Sequence, residues 1–307
     1  MKPEEVLGRA GIVAIVGRAN VGKSTLLNNL VGEKVAIVSA VPQTTRNQIR
    51  AILNEKRGQI VFLDTPGMHE TKHAFDRSMI SAINNSLEGI DVVIHLVDTT
   101  ERLGEEEAMV MDRLSSVKAP IILGLNKIDL APRHLEDYLS AWERKIGRKL
   151  SDATDRIMPI PLSALAGTNT DRLLDELFLR LPVGPALYPE DVLTDFPRQL
   201  TIQDCIREKF LLTMRQEIPF SIAVFAEEII DKSEKLTVVN VVIYVERDSQ
   251  KGIVIGKRGE ILKKVGEAAR KELQEIYGKK IYLDLLVKVK ENWKSNTELL
   301  KMMGYIL

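Results

Sequence analysis

Residues 11–24 read Gly-Ile-Val-Ala-Ile-Val-Gly-Arg-Ala-Asn-Val-Gly-Lys-Ser. Ile12 to Val16 form an unbroken apolar run, the composition of a strand buried on both faces. Gly17 ends the run, and Gly22, Lys23 and Ser24 complete the spacing G-x-x-x-x-G-K-S. From Thr25 to Leu30 the pattern becomes helical. Strand, glycine-containing loop and helix in that order are what a phosphate-binding loop requires. The glycines let the backbone curl so that its N–H groups, with the positive end of the helix, face an anion. Gly17, Arg18, Ala19, Asn20, Val21, Gly22, Lys23, Ser24 and Thr25 are therefore the expected cradle for a nucleotide's phosphates. Lys23 should reach the β- and γ-phosphates, and the Ser24 hydroxyl should ligate Mg²⁺.

The apolar runs 49–53 and 59–63 flank a turn-forming stretch, Asn54 to Gly58, and read as a hairpin beside the first strand. Between helix and hairpin lies Val41-Pro42-Gln43-Thr44-Thr45-Arg46, a polar loop. A threonine there can add its hydroxyl to Mg²⁺ while a γ-phosphate is present and lose that tie after hydrolysis. Thr45 is the first choice for that role and Thr44 the second. The hairpin's second strand ends in Asp64-Thr65-Pro66-Gly67. Asp64 is placed to hold Mg²⁺, mostly through water, and the Gly67 N–H to meet the γ-phosphate. Met68 follows, and it can neither donate nor accept a useful hydrogen bond to an attacking water, so intrinsic hydrolysis should be slow.

Asp91 to Val97 and Pro120 to Leu125 read as further buried strands, with a helical stretch at 104–117 between them. The second runs into Asn126-Lys127-Ile128-Asp129. Guanine carries two adjacent donors, N1–H and the N2 amino group, which adenine lacks. The Asp129 carboxylate can accept both, the Asn126 side chain can meet the N7/O6 edge, and the stem of Lys127 can cover the base. Met158 to Leu162 form a last strand, followed by Ser163-Ala164, whose backbone can reach guanine O6. Helix 170–180 closes the domain. Alternating strands and helices imply an α/β fold with a mostly parallel sheet and its ligand at the carboxyl ends of the strands.

The chain has 307 residues, 45% hydrophobic and 28% charged, which suits two soluble globular domains. One cysteine, Cys205, excludes an internal disulfide and a cysteine-based zinc cluster. It falls in the apolar phase of a helical pattern, as a core thiol does. His69 and His73 stand four apart with no acidic partner to complete a zinc site. His95 lies inside a buried strand and is read as packing, and Trp142 and Trp293 as core or interface residues. There is no apolar run of spanning length and no signal-peptide pattern, so a cytoplasmic protein is expected. Net charge is zero, yet residues 250–301 hold 13 Lys and Arg against 7 Asp and Glu. A basic end on an otherwise acidic chain points to a polyanionic partner.

Leu181 to Pro197 contains four prolines, and residues before proline are pushed out of helix, so 182–197 is expected to be a linker between a first domain, 1–181, and a second, 198–307. In the second, Gln199 to Arg215 are helical, and Ile222 to Ile230 and Leu236 to Glu246 are strand-like around a turn at 231–234. Gly256-Lys257-Arg258-Gly259 follows Ile255, the helix Ile261 to Tyr277 comes next, and Ile281 to Val289 alternate as a third strand. This α-β-β-α-α-β order with Gly-Lys-Arg-Gly between two helices resembles an α+β KH-type RNA-binding domain of the prokaryotic kind. Ile255, Gly256, Lys257, Arg258, Gly259 and Lys263 are the expected RNA contacts. The glycines admit the RNA backbone closely, and the cations meet its phosphates.

The nucleotide motifs stand in the order of translation-factor-like GTPases. Together with Asn20, Gln43-Thr44-Thr45-Arg46, the absence of a glutamine at position 68 and the KH-type second domain, they resemble the Era family of bacterial GTPases over nearly the whole chain. The resemblance implies GTP/GDP and Mg²⁺ as ligands, and K⁺ beside Asn20. It implies a role in small ribosomal subunit maturation, binding single-stranded rRNA near the 3′ end of the small-subunit RNA. It also implies a peripheral contact with the inner face of the cell membrane. No DNA partner is expected, and a monomer is.

Overall fold

In the computed structural model, which describes residues 8–36, 49–64, 89–214 and 221–303, the opening apolar run lies in a central strand of a sheet. β1 (Gly8–Val16) is flanked by β3 (Gly58–Asp64) on one side and β4 (Val92–Asp98) on the other, both parallel to it. Beyond β3 lies the antiparallel β2 (Ile49–Glu55), and beyond β4 the parallel β5 (Ile121–Asn126) and β6 (Ile157–Pro161). The order β2-β3-β1-β4-β5-β6 reverses direction at β1, so the loop leaving β1 sits at the topological switch point where α/β sheets bind ligands. Strands β4 and β5 are buried along their whole length, as continuous apolar runs with helices on both faces must be.

α1 (Lys23–Val31), α2 (Glu105–Ser115) and α4 (Thr170–Arg180) fall where the periodicity places them. α3 (Leu135–Ile146) is a helix beyond the expected elements. Its signal is present: Leu135, Tyr138, Leu139, Trp142 and Ile146 share one helical face, and Gly147 closes it at φ 71°. A parallel β5–β6 step also requires such a crossover. Trp142 and Trp293 are fully buried, and Cys205 is a buried free thiol. His95 corrects its expected role as packing. It is fully buried in β4, but both ring nitrogens are hydrogen-bonded, to Glu107 and Trp142.

The described residues fall into two units, 8–195 and 196–303, so 182–195 of the stretch expected to be a linker belong to the first unit. It is a strap rather than a tether. β7 (Val183–Gly184) pairs antiparallel with the start of β1. Buried Gln59 then accepts the N–H groups of Leu187 and Tyr188 at 2.7 and 2.9 Å and donates to the Tyr188 carbonyl at 2.8 Å. The Ile52 N–H donates to the Leu193 carbonyl at 2.8 Å, Ala51 bridges to Thr194, and Tyr188 and Val192 cover Ile52, Val61 and Leu63. The prolines prevent a helix, and the open edge of β2 supplies partners for the extended chain.

In the second unit α5 (Arg198–Thr213) precedes the hairpin β8 (Ala223–Ser233) and β9 (Leu236–Val245). α6 (Asp248–Ile255), α7 (Glu260–Tyr277) and β10 (Lys280–Val289) follow. β10 runs parallel to β9, giving the sheet order β10-β9-β8. Val239, Val241, Ile243 and Val245 of β9 face a core made with Cys205 and Ile206 of α5 and with Val265, Ala269 and Leu273 of α7. α8 (Thr297–Met302) ends at Met303, which is buried and whose carbonyl accepts from Gln203 at 3.1 Å.

Candidate functional site

Gly17 turns the chain so tightly after β1 that a Cβ there would lie 2.3 Å from the Leu96 carbonyl oxygen. Gly22 sits at φ 103°, and a Cβ on it would fall 2.5 Å from Asn126 Nδ2. Glycine is required at both positions, at the second for its conformation as well. α1 then begins at Lys23 behind Gly22, which has no side chain to cap the helix, and it carries no acid in its first turn. A helix start left in that condition suits an anion. Lys23 is buried, and its Nζ donates to the carbonyls of Gly17 at 3.1 Å and Arg18 at 2.9 Å. The ammonium is thus folded over the loop it serves. Ser24 and Thr25 lie in the first turn of the same helix.

The expected base-reading residues lie at the end of β5. Asn126 is buried, and its amide donates to the Val21 carbonyl at 2.7 Å while its oxygen accepts the Ala164 N–H at 2.8 Å. A buried amide must satisfy itself inside. Asn126 is therefore first a strut between the phosphate loop and the Ser163–Ala164 loop. Its oxygen is committed to Ala164, and one amide hydrogen remains beyond the bond to Val21. Lys127 adopts φ 65° and donates to Asp98 Oδ2 at 2.5 Å and to the Asn20 carbonyl at 3.1 Å, which lays its stem across the site. Burial alone would push the Asp98 carboxyl up; the bonds from Lys127 and Thr100 outweigh it and hold the group below its ordinary value. Asp98 was not anticipated, although an acid at the end of a buried strand beside the site is a visible signal. Asp129 is exposed and makes no ion pair among the described residues.

Asp64 is described by its backbone at the end of β3, paired in register with Ile15. Thr44, Thr45, Thr65, Pro66, Gly67 and Met68 lie outside the described residues, as do His69 and His73.

In the second unit, Gly256 and Gly259 bracket one turn of 3-10 helix, Lys257–Gly259. Gly256 adopts φ 77° and ψ 171°, and a Cβ there would meet the backbone N of Ile261 at 2.9 Å. Gly259 has φ 80° with open space where its Cβ would be. Lys257, Arg258 and Lys263 are exposed and form no ion pair among the described residues. Ile255 is half-buried against the core. Below the loop runs a groove of about 410 Å³ between α7 and β10, lined by Gly259, Leu262, Lys263, Gly266, Glu267, Arg270, Leu283 and Leu285. It offers an apolar floor, with Lys263, Arg270 and one carboxylate, Glu267, among its lining. Arg270, Leu283 and Leu285 were not anticipated; Lys263, Gly266 and Arg270 share a helix face with Gly259, but the β10 wall is visible only in three dimensions.

Two family models match the chain, that of a 50S ribosome-binding GTPase at residues 12–127 and that of a KH domain at residues 217–294. The chain is similar to GTPase Era of Carboxydothermus hydrogenoformans, 45% identical over 97% of this chain and 98% of that protein. It is similar in the same way to GTPase Era of Trichlorobacter lovleyi, 44% identical over 97% and 98%. The chain belongs to the Era family of GTPases. It is accordingly a GTP-hydrolysing enzyme with an α/β P-loop domain and a KH domain. Among solved structures it resembles an Aquifex aeolicus Era variant bound to GDP and AlF4⁻, with a TM-score of 0.90 at 37% identity over 97% of this chain and 100% of that one. It also resembles Era in complex with MgGDPNP and nucleotides 1506–1542 of 16S ribosomal RNA, with a TM-score of 0.88 at 38% identity over 98% and 100%.

Proposed function

We propose that the protein is a GTP-controlled clamp on single-stranded RNA near the 3′ end of the small-subunit ribosomal RNA, acting in maturation of that subunit. The observation that carries this reading is one chain joining two built sites: a helix start behind a glycine-turned phosphate loop, and an exposed Gly-Lys-Arg-Gly turn above a groove. Similarity to the Era complex with MgGDPNP and 16S RNA supports it along nearly the full length. In this reading Lys23 meets the β- and γ-phosphates, Ser24, Thr45 and Asp64 hold Mg²⁺, and Asp129 reads guanine. Gly67 meets the γ-phosphate, and Ile255 to Gly259 with Lys263 hold the RNA. Mg²⁺ would neutralise charge on the transferring phosphoryl group. The test is binding of a labelled oligonucleotide of the 16S 3′ end to the full chain with GTP analogue, GDP or no nucleotide. Tighter binding in one nucleotide state is expected, and equal binding in all three would remove the clamp. Cytoplasmic location, peripheral membrane contact and a monomeric state belong to the same reading, and light scattering and vesicle sedimentation test the last two.

The cation counterpart of the missing glutamine is K⁺ beside Asn20. Asn20 sits in the phosphate loop at φ 63°, and its side-chain oxygen is the proposed ligand. Charge that develops on the phosphates needs a cation where an arginine finger stands elsewhere. Hydrolysis should be faster in K⁺ than in Na⁺ at equal ionic strength, with the difference removed by Asn20→Ala. Equal rates in the two salts would leave Asn20 a structural residue.

A further inference from the structure

Arg18 is part of the phosphate loop, yet its side chain turns away from the helix start toward the interior. Its Nε lies 3.5 Å from Oε2 of Glu107, a fully buried carboxylate in the first turn of α2. The other oxygen of Glu107 lies 2.7 Å from His95 Nε2, and His95 Nδ1 lies 3.1 Å from the indole nitrogen of Trp142 on α3. An indole N–H can only donate. His95 Nδ1 therefore accepts, the ring is neutral, and its one N–H is on Nε2, donating to Glu107. The chain of donors runs in one direction, from Trp142 through His95 to a carboxylate, and Arg18 supplies the countercharge. The start of α2 favours the same negative charge. Tyr138 also faces Glu107; its hydroxyl donates to the Glu101 carbonyl at 3.1 Å, and burial and the Glu107 charge push it well above its ordinary value.

The far end of this chain is the Arg18 carbonyl, which accepts from Lys23 Nζ at 2.9 Å. We propose that Arg18, Glu107 and His95 are positioning residues for Lys23, fixing from beneath the loop carbonyls that aim its ammonium at the β- and γ-phosphates. Arg18 then serves GTP through the loop's geometry rather than by touching phosphate. This rests on the reading that residues 17–24 hold the nucleotide's phosphates.

The experiment measures GTP and GDP affinity, single-turnover hydrolysis and thermal unfolding for Arg18→Met, Arg18→Lys, Glu107→Gln and the double variant Arg18→Met/Glu107→Gln, with Lys23→Ala as reference. Glu107→Gln keeps the shape of the buried side chain, and Arg18→Lys keeps the cation. Arg18→Met and Glu107→Gln should each weaken GTP by about tenfold more than GDP and slow hydrolysis, because a misplaced Lys23 loses the γ-phosphate first. Arg18→Lys should recover part of the loss, and the double variant should be no worse than the poorer single. Equal losses for GTP and GDP, additive effects, or a fall in unfolding temperature with GTP binding intact would overturn the proposal. Lys23→Ala separates the two levels. If it leaves GTP binding unchanged, the phosphate-site reading fails and this proposal with it; if it removes binding while Arg18→Met does not, the positioning role alone fails.

Discussion

In the first unit, side chains from distant elements reach the phosphate loop. Asn126 bonds the Val21 carbonyl, Lys127 the Asn20 carbonyl, and Lys23 folds back on Gly17 and Arg18. In the second unit, no side chain among the described residues bonds the backbone of 256–259; the loop is shaped by two glycines and by Arg258 at φ 54°. The difference follows the ligands. A nucleotide is small and must be held against a reacting γ-phosphate, so its donors have to be fixed beforehand. RNA is a flexible polyanion, and a turn that exposes charge and leaves room for its backbone is sufficient.

The largest test of that contrast is at the fixed end. Asp129→Asn should exchange guanine for xanthine preference, because xanthine presents a carbonyl where guanine has its amino group. Charge-assisted hydrogen bonds are worth about 1.5–3 kcal/mol each, so losing two should cost GTP about 10²–10⁴ in affinity. Competition binding with guanosine and xanthosine triphosphates reads the switch, and an unchanged guanine preference would remove the base-reading role.

At the bare end, Lys257→Asp with Arg258→Asp should weaken single-stranded RNA binding by about 100-fold, on the basis of two lost charge-assisted contacts of about 1.5 kcal/mol each. Both side chains are exposed, so unfolding temperature and intrinsic GTP hydrolysis should hardly move. Wild-type RNA binding should weaken as salt rises, and the variant should show a shallower slope. Wild-type affinity in the variant would refute the RNA-loop assignment.

These two loops were legible in the sequence for the same reason. Each is a local pattern in which glycine spacing, a preceding apolar run and a following helix lie within a few residues. What escaped is assembled from separated pieces. The His95 pairings span 12 and 47 residues, so nothing around position 95 distinguishes it from a packed ring. The groove wall at Leu283 and Leu285 joins α7 only through sheet order. Asn126 reads as a base contact from its motif, and its strut role appears only when Val21 and Ala164 arrive on either side. Proline content marks 182–197 as a linker because it forbids a helix, but it says nothing about the sheet edge along which 182–195 lie. α3 is different, since its apolar face at Leu135, Tyr138, Leu139, Trp142 and Ile146 is local and visible in the residues themselves.

A smaller effect is expected where backbone shape alone is tested. Gly256→Ala forces a side chain into a conformation suited to glycine, with its Cβ at 2.9 Å from the Ile261 nitrogen. The strain should cost about 1–3 kcal/mol in the second unit. Gly259→Ala meets no neighbour within 4 Å and carries only the φ 80° penalty, so it should unfold closer to wild type. Thermal unfolding of the two variants gives the order, and Gly259→Ala being the less stable would show that the loop is not held by its first glycine.

The smallest effect concerns charge at the opposite end of the second unit. Arg198 donates to both oxygens of Asp231, at 2.9 and 3.2 Å, and lies over the Tyr277 ring at 5.0 Å. The Arg198 bonds first, then Thr237, hold the Asp231 carboxyl well below the usual carboxylate range. A group whose folded pKa lies under its unfolded value adds stability that is present above the unfolded value, near 4, and lost as pH falls through the folded one. The pair is partly exposed, so solvent and salt reduce its worth. Unfolding temperature between pH 7 and pH 3 should therefore fall slightly less steeply in Asp231→Asn than in wild type, with the gap beginning to narrow only near the unfolded value, about pH 4. Guanine preference and RNA affinity should be unchanged, since neither loop touches the pair. Identical acid profiles for the two proteins would mean that the ion pair is balanced by its own desolvation and ordering.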